Sequence, residues 1–161
     1  MVPGVLPGVI PATSPPARRR GFGSAPAPAL IEAFRSVTTL VTGGAGYIGS
    51  HMVHALADAG ERVVVLDNLT TGFDWSVAPD VPLVVADTGD QARVAALLAE
   101  HRVDAMIHFA ASIVVPDSVR DPLGYYRNNT ANSRALIETA VKHGVRHLIF
   151  SSPTGMRSGL P

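Results

Sequence analysis

A chain of 161 residues with a hydrophobic share of 47% is long enough for one domain with a buried core. Its 13 basic and 13 acidic residues cancel, so its charge does not favour nucleic acid or an anionic membrane surface as a partner. The absence of cysteine excludes disulfides, thiolate catalysis and cysteine-ligated zinc. The six histidines show no spacing typical of metal ligands, and no apolar run reaches the roughly 18 residues of a membrane span. We therefore expect a cytoplasmic protein without a bound metal.

The first 35 residues differ in composition from the rest of the chain. They contain seven of the 13 prolines and no acidic residue before Glu32. Proline removes a backbone donor, and the segment has no hydrophobic periodicity that could bury a face. We expect residues 1–35 to be a disordered extension. A secretory signal is not expected, because Pro26 and Pro28 interrupt the stretch that follows the arginines at 18–20.

From residue 36 onward, short apolar runs alternate with helical patterns. In chain order the patterns predict a strand at 37–42, a helix at 47–59, strands at 62–66 and 82–86, a helix at 90–101 with Asp90 as its N-cap, a strand at 105–109, a long helix at about 122–142 and a strand at 147–150. Strands that are apolar on both faces are typical of a parallel sheet covered by helices on each side. Right-handed crossovers then predict an α/β fold, a doubly wound Rossmann-like sheet over residues 36–152 with strand order 3-2-1-4-5.

A glycine-rich motif lies between the first predicted strand and the first predicted helix. Gly44, Gly46 and Gly49 form a GxGxxG pattern, which overlaps a looser GxxGxxG pattern that begins at Gly43. The first glycines allow a tight turn, Gly46 lets the backbone approach a pyrophosphate, and Gly49 lets the helix pack closely on the sheet. The start of the helix offers free N–H groups to the phosphates. With a strand before it and a helix after it, the motif predicts a dinucleotide site.

An acidic residue follows the second predicted strand. Asp67 lies 23 residues after Gly44, close to the spacing of about 20 that is typical of dinucleotide-binding folds. A carboxylate at this position accepts hydrogen bonds from the adenosine ribose hydroxyls and repels a 2′-phosphate, so we predict NAD rather than NADP. The plainer alternative is that Asp67 is a turn residue before Asn68.

Five segments of the sequence together resemble the UDP-glucose 4-epimerases, which are members of the extended short-chain dehydrogenase/reductase group of NAD-dependent epimerases and dehydratases. They are TGGAGYIGSH at 42–51, VVLDNLTTG at 64–72, AMIHFAASIVV at 105–115, DPLGYYRNN at 121–129 and HLIFSS at 147–152. The resemblance extends over roughly residues 38–152. The LDNL and YYxNN segments are far more specific than the glycine motif.

The resemblance implies a role in NAD binding for thirteen positions. The residues are Gly43, Gly46, Tyr47, Ile48 and Gly49 at the pyrophosphate, Asp67 and Asn68 at the adenosine ribose, Asp87 and Thr88 beside the adenine, Phe109, Ala110 and Ala111 on the nicotinamide side, and Asn128 from the long helix. Simpler interpretations stay open for some of them. Phe109 is also suited to a core position, Asn128 to a solvated helix position, and Tyr125 and Tyr126 to packing.

The resemblance also implies an activity, which is the interconversion of UDP-glucose and UDP-galactose through a transient 4-keto sugar in a homodimer. In the family a Ser or Thr and a Tyr-x-x-x-Lys pair carry out this chemistry. Here Pro153 stands at the Ser or Thr position, residues 153–161 do not match, and the Tyr-x-x-x-Lys pair is absent. We therefore predict no catalytic residue and an NAD-binding portion, from a truncated or frameshifted gene, that is inactive alone. The alternatives are a non-catalytic NAD-binding module or a fragment of another sugar-nucleotide epimerase or dehydratase.

Overall fold

The computed structural model describes residues 37–151, so the expectations for residues 1–35 and 153–161 lie outside the described residues. It contains one five-stranded parallel sheet with strand order β3-β2-β1-β4-β5. The strands are β1 at Thr38–Thr42, β2 at Arg62–Asp67, β3 at Leu83–Val85, β4 at Val103–His108 and β5 at His147–Phe150. The predicted doubly wound fold and strand order are confirmed.

Helices connect the strands. They are α1 at Tyr47–Asp58, α2 at Gln91–His101, α3 at Val115–Arg120, α4 at Pro122–Tyr126 and α5 at Ser133–Lys142, with a π-helical turn at Arg127–Asn132 and a short 3₁₀ turn at Asp74–Ser76. Helix α2 begins at the predicted N-cap, where the Asp90 carboxylate accepts the Arg93 N–H at 3.1 Å. No helix within residues 37–151 is long and apolar enough to cross a membrane.

Both faces of the central strands are buried, because successive side chains of a strand point to opposite faces, whereas the edge strand β5 is exposed along its length. On one face Leu40 of β1 and Met106 of β4 pack against Leu136 of α5 and against α2. On the other face Val41 of β1 packs against Val53 of α1. Each fully buried leucine stabilises the fold by about 1.5–3 kcal/mol. This packing holds the carboxyl ends of the central strands in fixed positions.

The predicted long helix at 122–142 is interrupted. Its middle turn, Arg127–Asn132, widens to π-helical geometry, and a separate short helix, α3, precedes it. The sequence of the turn, RNNTAN, has low helix propensity, and its asparagine side chains bond to loops at the edge of the sheet instead of facing solvent. Hydrophobic periodicity does not record such contacts, so the sequence could not predict the interruption.

Candidate cofactor-binding site

The predicted site residues come together at the carboxyl edge of the sheet. Asp67 is the last residue of β2, Asn128 lies in the π turn, and each of the others stands in a loop or helix start that follows β1, β2, β3 or β4. The connection after β1 leads to β2 on one side of it, and the connection after β4 leads to β5 in the opposite direction along the sheet. In open α/β sheets the crevice at this reversal is where ligands bind.

Two glycines are required by the packing of the protein itself. Gly43 has a φ of +71°, which favours glycine, and a Cβ placed on it would lie 2.6 Å from the backbone nitrogen of Ala110. A Cβ on Gly49 would overlap the carbonyl oxygen of Gly43. The loop after β1 is therefore packed directly against both the loop after β4 and the first turn of α1.

Gly46 is different, because a methyl group there would require only a small shift of one backbone oxygen. A Cβ on Gly46 would meet only the Gly43 oxygen within 4 Å, at 3.3 Å. Helix α1 begins directly after it, no side chain among the described residues caps that helix, and Tyr47 and Ile48 are exposed. The first N–H groups of a helix have no partner inside the helix. A bare backbone beside uncapped amides fits a bound phosphate, and a Cβ at Gly46 would occupy part of this space.

The carboxylate of Asp67 is buried and already bonded to the backbone. Its Oδ2 accepts the Ala45 N–H at 3.0 Å, and its Oδ1 accepts the Leu69 N–H at 2.8 Å. A carboxylate has about four acceptor positions, so two of them stay available for ribose hydroxyls. The sequence predicted the ribose role of Asp67 but not its bond to the glycine loop, which joins residues 22 positions apart.

Asp87 joins the loop after β3 to the π turn. Its Oδ1 accepts the Gly89 N–H at 2.7 Å and the Asn132 Nδ2 at 2.8 Å, and its Oδ2 lies 3.4 Å from Asn68 Nδ2. Thr88 beside it is buried. Asn132 was not among the predicted residues, and no sequence motif marks it, since its contact with Asp87 spans 45 positions.

A cavity of about 470 Å³ opens between the loop after β4, the π turn and β5. The three residues predicted on the nicotinamide side, Phe109, Ala110 and Ala111, all line it, and so does Asn129. Asn128 instead donates from Nδ2 to Ser112 Oγ at 2.8 Å. The arrangement provides a mostly apolar chamber beside the glycine loop, suited to a flat ring that must be kept away from water.

His108 is a buried polar residue that the sequence analysis did not assign. Its Nδ1 lies 2.6 Å from Thr42 Oγ1, and its Nε2 lies 2.9 Å from Ser133 Oγ. Burial lowers the pKa of the His108 imidazole, which favours the neutral ring. A neutral ring donates from one nitrogen and accepts at the other, so it joins β1, β4 and α5. Within residues 37–151, no group of three or more His, Asp or Glu residues could hold a metal ion.

Comparison with known proteins places these features in a family. The model of the NAD dependent epimerase/dehydratase family matches residues 39–156. The chain is 51% identical over 117 residues to a UDP-glucose 4-epimerase of Azospirillum brasilense, a match that covers 73% of this chain and 34% of that protein. The chain thus spans about a third of the length of this curated relative.

Solved structures give the same result. A UDP-glucose 4-epimerase from Brucella ovis in complex with NAD is 41% identical with a TM-score of 0.71, covering 78% of this chain and 39% of that one. A UDP-glucose-4-epimerase from Stenotrophomonas maltophila with bound NAD and formylated UDP-arabinopyranose is 40% identical with a TM-score of 0.69, covering 72% and 37%.

Proposed function

Because this chain belongs to the NAD-dependent epimerase/dehydratase family, we propose that it is the NAD-binding portion of a 4-epimerase of UDP-sugars. The proposed unit extends over residues 36–152, and residues 1–35 are an extension to it. For the longer protein we propose the interconversion of UDP-glucose and UDP-galactose by a cytoplasmic homodimer.

The glycine loop is the observation that carries this proposal. Among the described glycines with an ordinary backbone, Gly46 is the one whose added Cβ would meet the least, a single oxygen at 3.3 Å, and it lies directly before an uncapped helix start. A pyrophosphate placed there receives backbone N–H groups and the positive end of the helix dipole. Such a group gives a physical reason for a glycine that the protein's own packing does not require.

We assign the other site residues to the remaining parts of the cofactor. We assign Gly43, Gly49, Tyr47 and Ile48 to the pyrophosphate loop, Asp67 and Asn68 to the adenosine ribose, and Asp87 and Thr88 to the adenine. We assign Phe109, Ala110 and Ala111 to the wall beside the nicotinamide. We assign Asn128 to a contact with the cofactor from the π turn. When bound, NAD supplies reversible hydride transfer, and these residues hold it, select an unphosphorylated ribose and keep water from the ring.

The chain has residues suited to binding the cofactor but lacks the pair that turnover requires. No tyrosine in these 161 residues is followed four positions later by lysine, since the chain's single lysine is Lys142. A matched proton acceptor at the sugar hydroxyl contributes about 10²–10⁴-fold to the rate of such reactions. We therefore expect these 161 residues to bind NAD and not to convert UDP-galactose.

Calorimetry on folded protein tests the first half of the proposal. We expect heat on titration with NAD, and weaker or no binding of NADP, because the Asp67 carboxylate repels a 2′-phosphate. A coupled assay for UDP-glucose formation tests the second half. If protein with intact circular dichroism gives no heat with NAD, or binds NADP as tightly, the assignment is wrong. Turnover of UDP-galactose by these residues would contradict the separation of binding from catalysis.

A further inference from the structure

Ala45, between two glycines of the loop, is held at both of its backbone polar groups by the segment that follows β2. Its N–H donates to Asp67 Oδ2 at 3.0 Å. Its carbonyl oxygen accepts the Phe73 N–H at 3.0 Å and lies 2.7 Å from Ser76 Oγ. Ala45 is almost fully buried. We call residues 67–76 the clamp segment, since its first residue bonds the Ala45 N–H and residues near its end bond the Ala45 carbonyl.

Gly72 allows the clamp segment to lie directly on Ala45. It is buried, and a Cβ placed on it would lie 2.8 Å from the carbonyl carbon of Ala45 and 2.9 Å from its Cβ and its oxygen. Two of these three atoms are backbone atoms, which cannot rotate away as a flexible side chain does. Gly72 has no left-handed backbone, so only this contact opposes a side chain. Any larger residue must push the glycine loop and the clamp segment apart.

The clamp segment is anchored at both ends. At its start, Asp67 is the last residue of β2 and accepts the Leu69 N–H, and Leu69, with a φ of +56°, packs against the core. At its end, the Ser76 carbonyl lies 3.2 Å from His54 Nε2 of α1, and Val77 is buried in the core with Val53 of α1. These contacts fix the segment to the sheet on one side and to the helix on the other.

We propose that the clamp segment positions the glycine loop, so that Gly72 and Ser76, which lie outside the glycine motif, determine how tightly the loop binds a diphosphate. Ala45 directly precedes Gly46, so a displacement of Ala45 moves the start of α1. Asp67 belongs to both parts, because it bonds Ala45 and is the residue assigned to the ribose. This inference rests on the proposed function, since the diphosphate is that of NAD.

A pair of glycine substitutions tests the role of Gly72. Gly72→Ala inserts a methyl group against Ala45, and we expect the dissociation constant for NAD to rise by about tenfold or more. The matched control is Gly60→Ala, because Gly60 has a φ of +77° and nothing within 4 Å of a Cβ. That change strains only its own backbone at the far end of α1. We expect it to lower the melting temperature and leave the dissociation constant for NAD within about twofold.

Ser76 gives a second, milder test. Ser76 Oγ lies 2.7 Å from the Ala45 oxygen and 2.6 Å from the Phe73 oxygen, so the two oxygens share its single proton. Ser76→Ala removes this hydroxyl but keeps the bond from the Phe73 N–H to the Ala45 oxygen, so we expect a two- to fivefold loss of NAD affinity. Ser76→Thr keeps the hydroxyl and restores the affinity. Amide hydrogen exchange without ligand gives a readout independent of binding: exchange at Ala45 and Phe73 becomes faster in Ser76→Ala. Trp75, the chain's single tryptophan, reports the same segment by fluorescence.

The outcomes separate this inference from the proposed function. If the folded parent protein does not bind NAD, the proposed function fails, while hydrogen exchange still measures the clamp. If the parent binds and Gly72→Ala binds equally well, the clamp does not position the loop and the inference is overturned. Should Gly72→Ala not fold, Ser76→Ala decides, and unchanged affinity together with unchanged exchange at Ala45 overturns the inference in the same way.

Discussion

The side-chain amide of Asn129 pairs with both backbone polar groups of Ser112. Its Oδ1 accepts the Ser112 N–H at 2.8 Å, and its Nδ2 donates to the Ser112 carbonyl at 2.8 Å. The amide thus satisfies both backbone groups of Ser112, as a paired strand would, at a point where β4 has ended. This pair fixes the loop that forms one wall of the 470 Å³ cavity.

Asn129→Asp tests this pair, because a carboxylate accepts the Ser112 N–H but cannot donate to its carbonyl. We expect a loss of about 1–3 kcal/mol in the free energy of unfolding at neutral pH, measured by urea denaturation. The control is Asn128→Asp, in which the 2.8 Å bond to Ser112 Oγ can reverse because a hydroxyl also donates, and only the long 3.5 Å contact of Asn128 Nδ2 with Asn129 Oδ1 is lost. Equal losses in the two variants would contradict the two-point pairing of Asn129 with Ser112.

His108 makes stability depend on pH in a defined direction. Burial lowers the pKa of its folded state below the usual 6.5, so in the window between the two values the unfolded chain binds more protons. The free energy of unfolding therefore reaches its full value above about pH 6.5 and declines as the pH falls toward the folded pKa, by at most about 1.4 kcal/mol per pH unit. The neighbours that contact the ring, Thr42, Ser133 and Phe150, are all uncharged.

Replacing His108 tests that dependence. His108→Gln keeps a donor and an acceptor but does not titrate. The decline of the unfolding free energy between pH 6.5 and the folded pKa therefore becomes shallower, by at most the roughly 1.4 kcal/mol per pH unit that one proton contributes. Urea midpoints measured at several pH values give this slope through the linkage relation. His51→Gln serves as the control for the loss of a histidine, since His51 is exposed and does not contact the His108 ring. An unchanged slope in His108→Gln means that His108 does not carry the effect.

Gly46→Ala separates binding from folding. The added methyl group meets only the Gly43 oxygen, at 3.3 Å, so a small shift of that oxygen accommodates it, and the backbone at Gly46 has a φ of −79°, which alanine adopts readily. We expect the free energy of unfolding to stay within about 1 kcal/mol of the parent, while NAD affinity falls at least about tenfold. Gly43→Ala, by contrast, is expected to prevent folding, because Ala110 and the left-handed backbone both oppose it. Wild-type affinity in a folded Gly46→Ala protein would falsify the diphosphate assignment.

Asp67→Asn tests cofactor selection. Asparagine has one acceptor oxygen in place of two, so it cannot bond both Ala45 and Leu69 and also hold ribose hydroxyls. We expect NAD affinity to fall by about tenfold to a hundredfold, and the ratio of NAD to NADP affinity to fall as the repulsive charge is lost. Asp90→Asn is the matched control, since asparagine caps a helix as well as aspartate does. Calorimetry with both nucleotides measures the ratio, and an unchanged ratio argues against Asp67 as the selecting group.

The sequence predicted what depends on local patterns and missed what depends on contacts between distant segments. The alternation of strand and helix patterns predicted the strand order, and the glycine motif predicted the turn between β1 and α1, because burial and backbone conformation depend on neighbouring residues. The bonds of Asn129 to Ser112, of Asn132 to Asp87 and of Asp67 to Ala45 span 17, 45 and 22 positions. Asparagine and aspartate are most often exposed to solvent, and only the assembled sheet shows that Asn129, Asn132 and Asp67 are bonded.

The contact of Gly43 with Ala110 has a thermodynamic consequence. The recess that we propose for the diphosphate is complete only when β1 and β4 lie side by side, so we expect a chain in which these strands have separated not to bind the dinucleotide there. Ligand and fold are then linked by mass action, and a hundredfold excess of NAD over its dissociation constant adds about 2.7 kcal/mol to the unfolding free energy. The melting temperature of this portion is therefore a measure of occupancy, and rises with each increment of dinucleotide in solution.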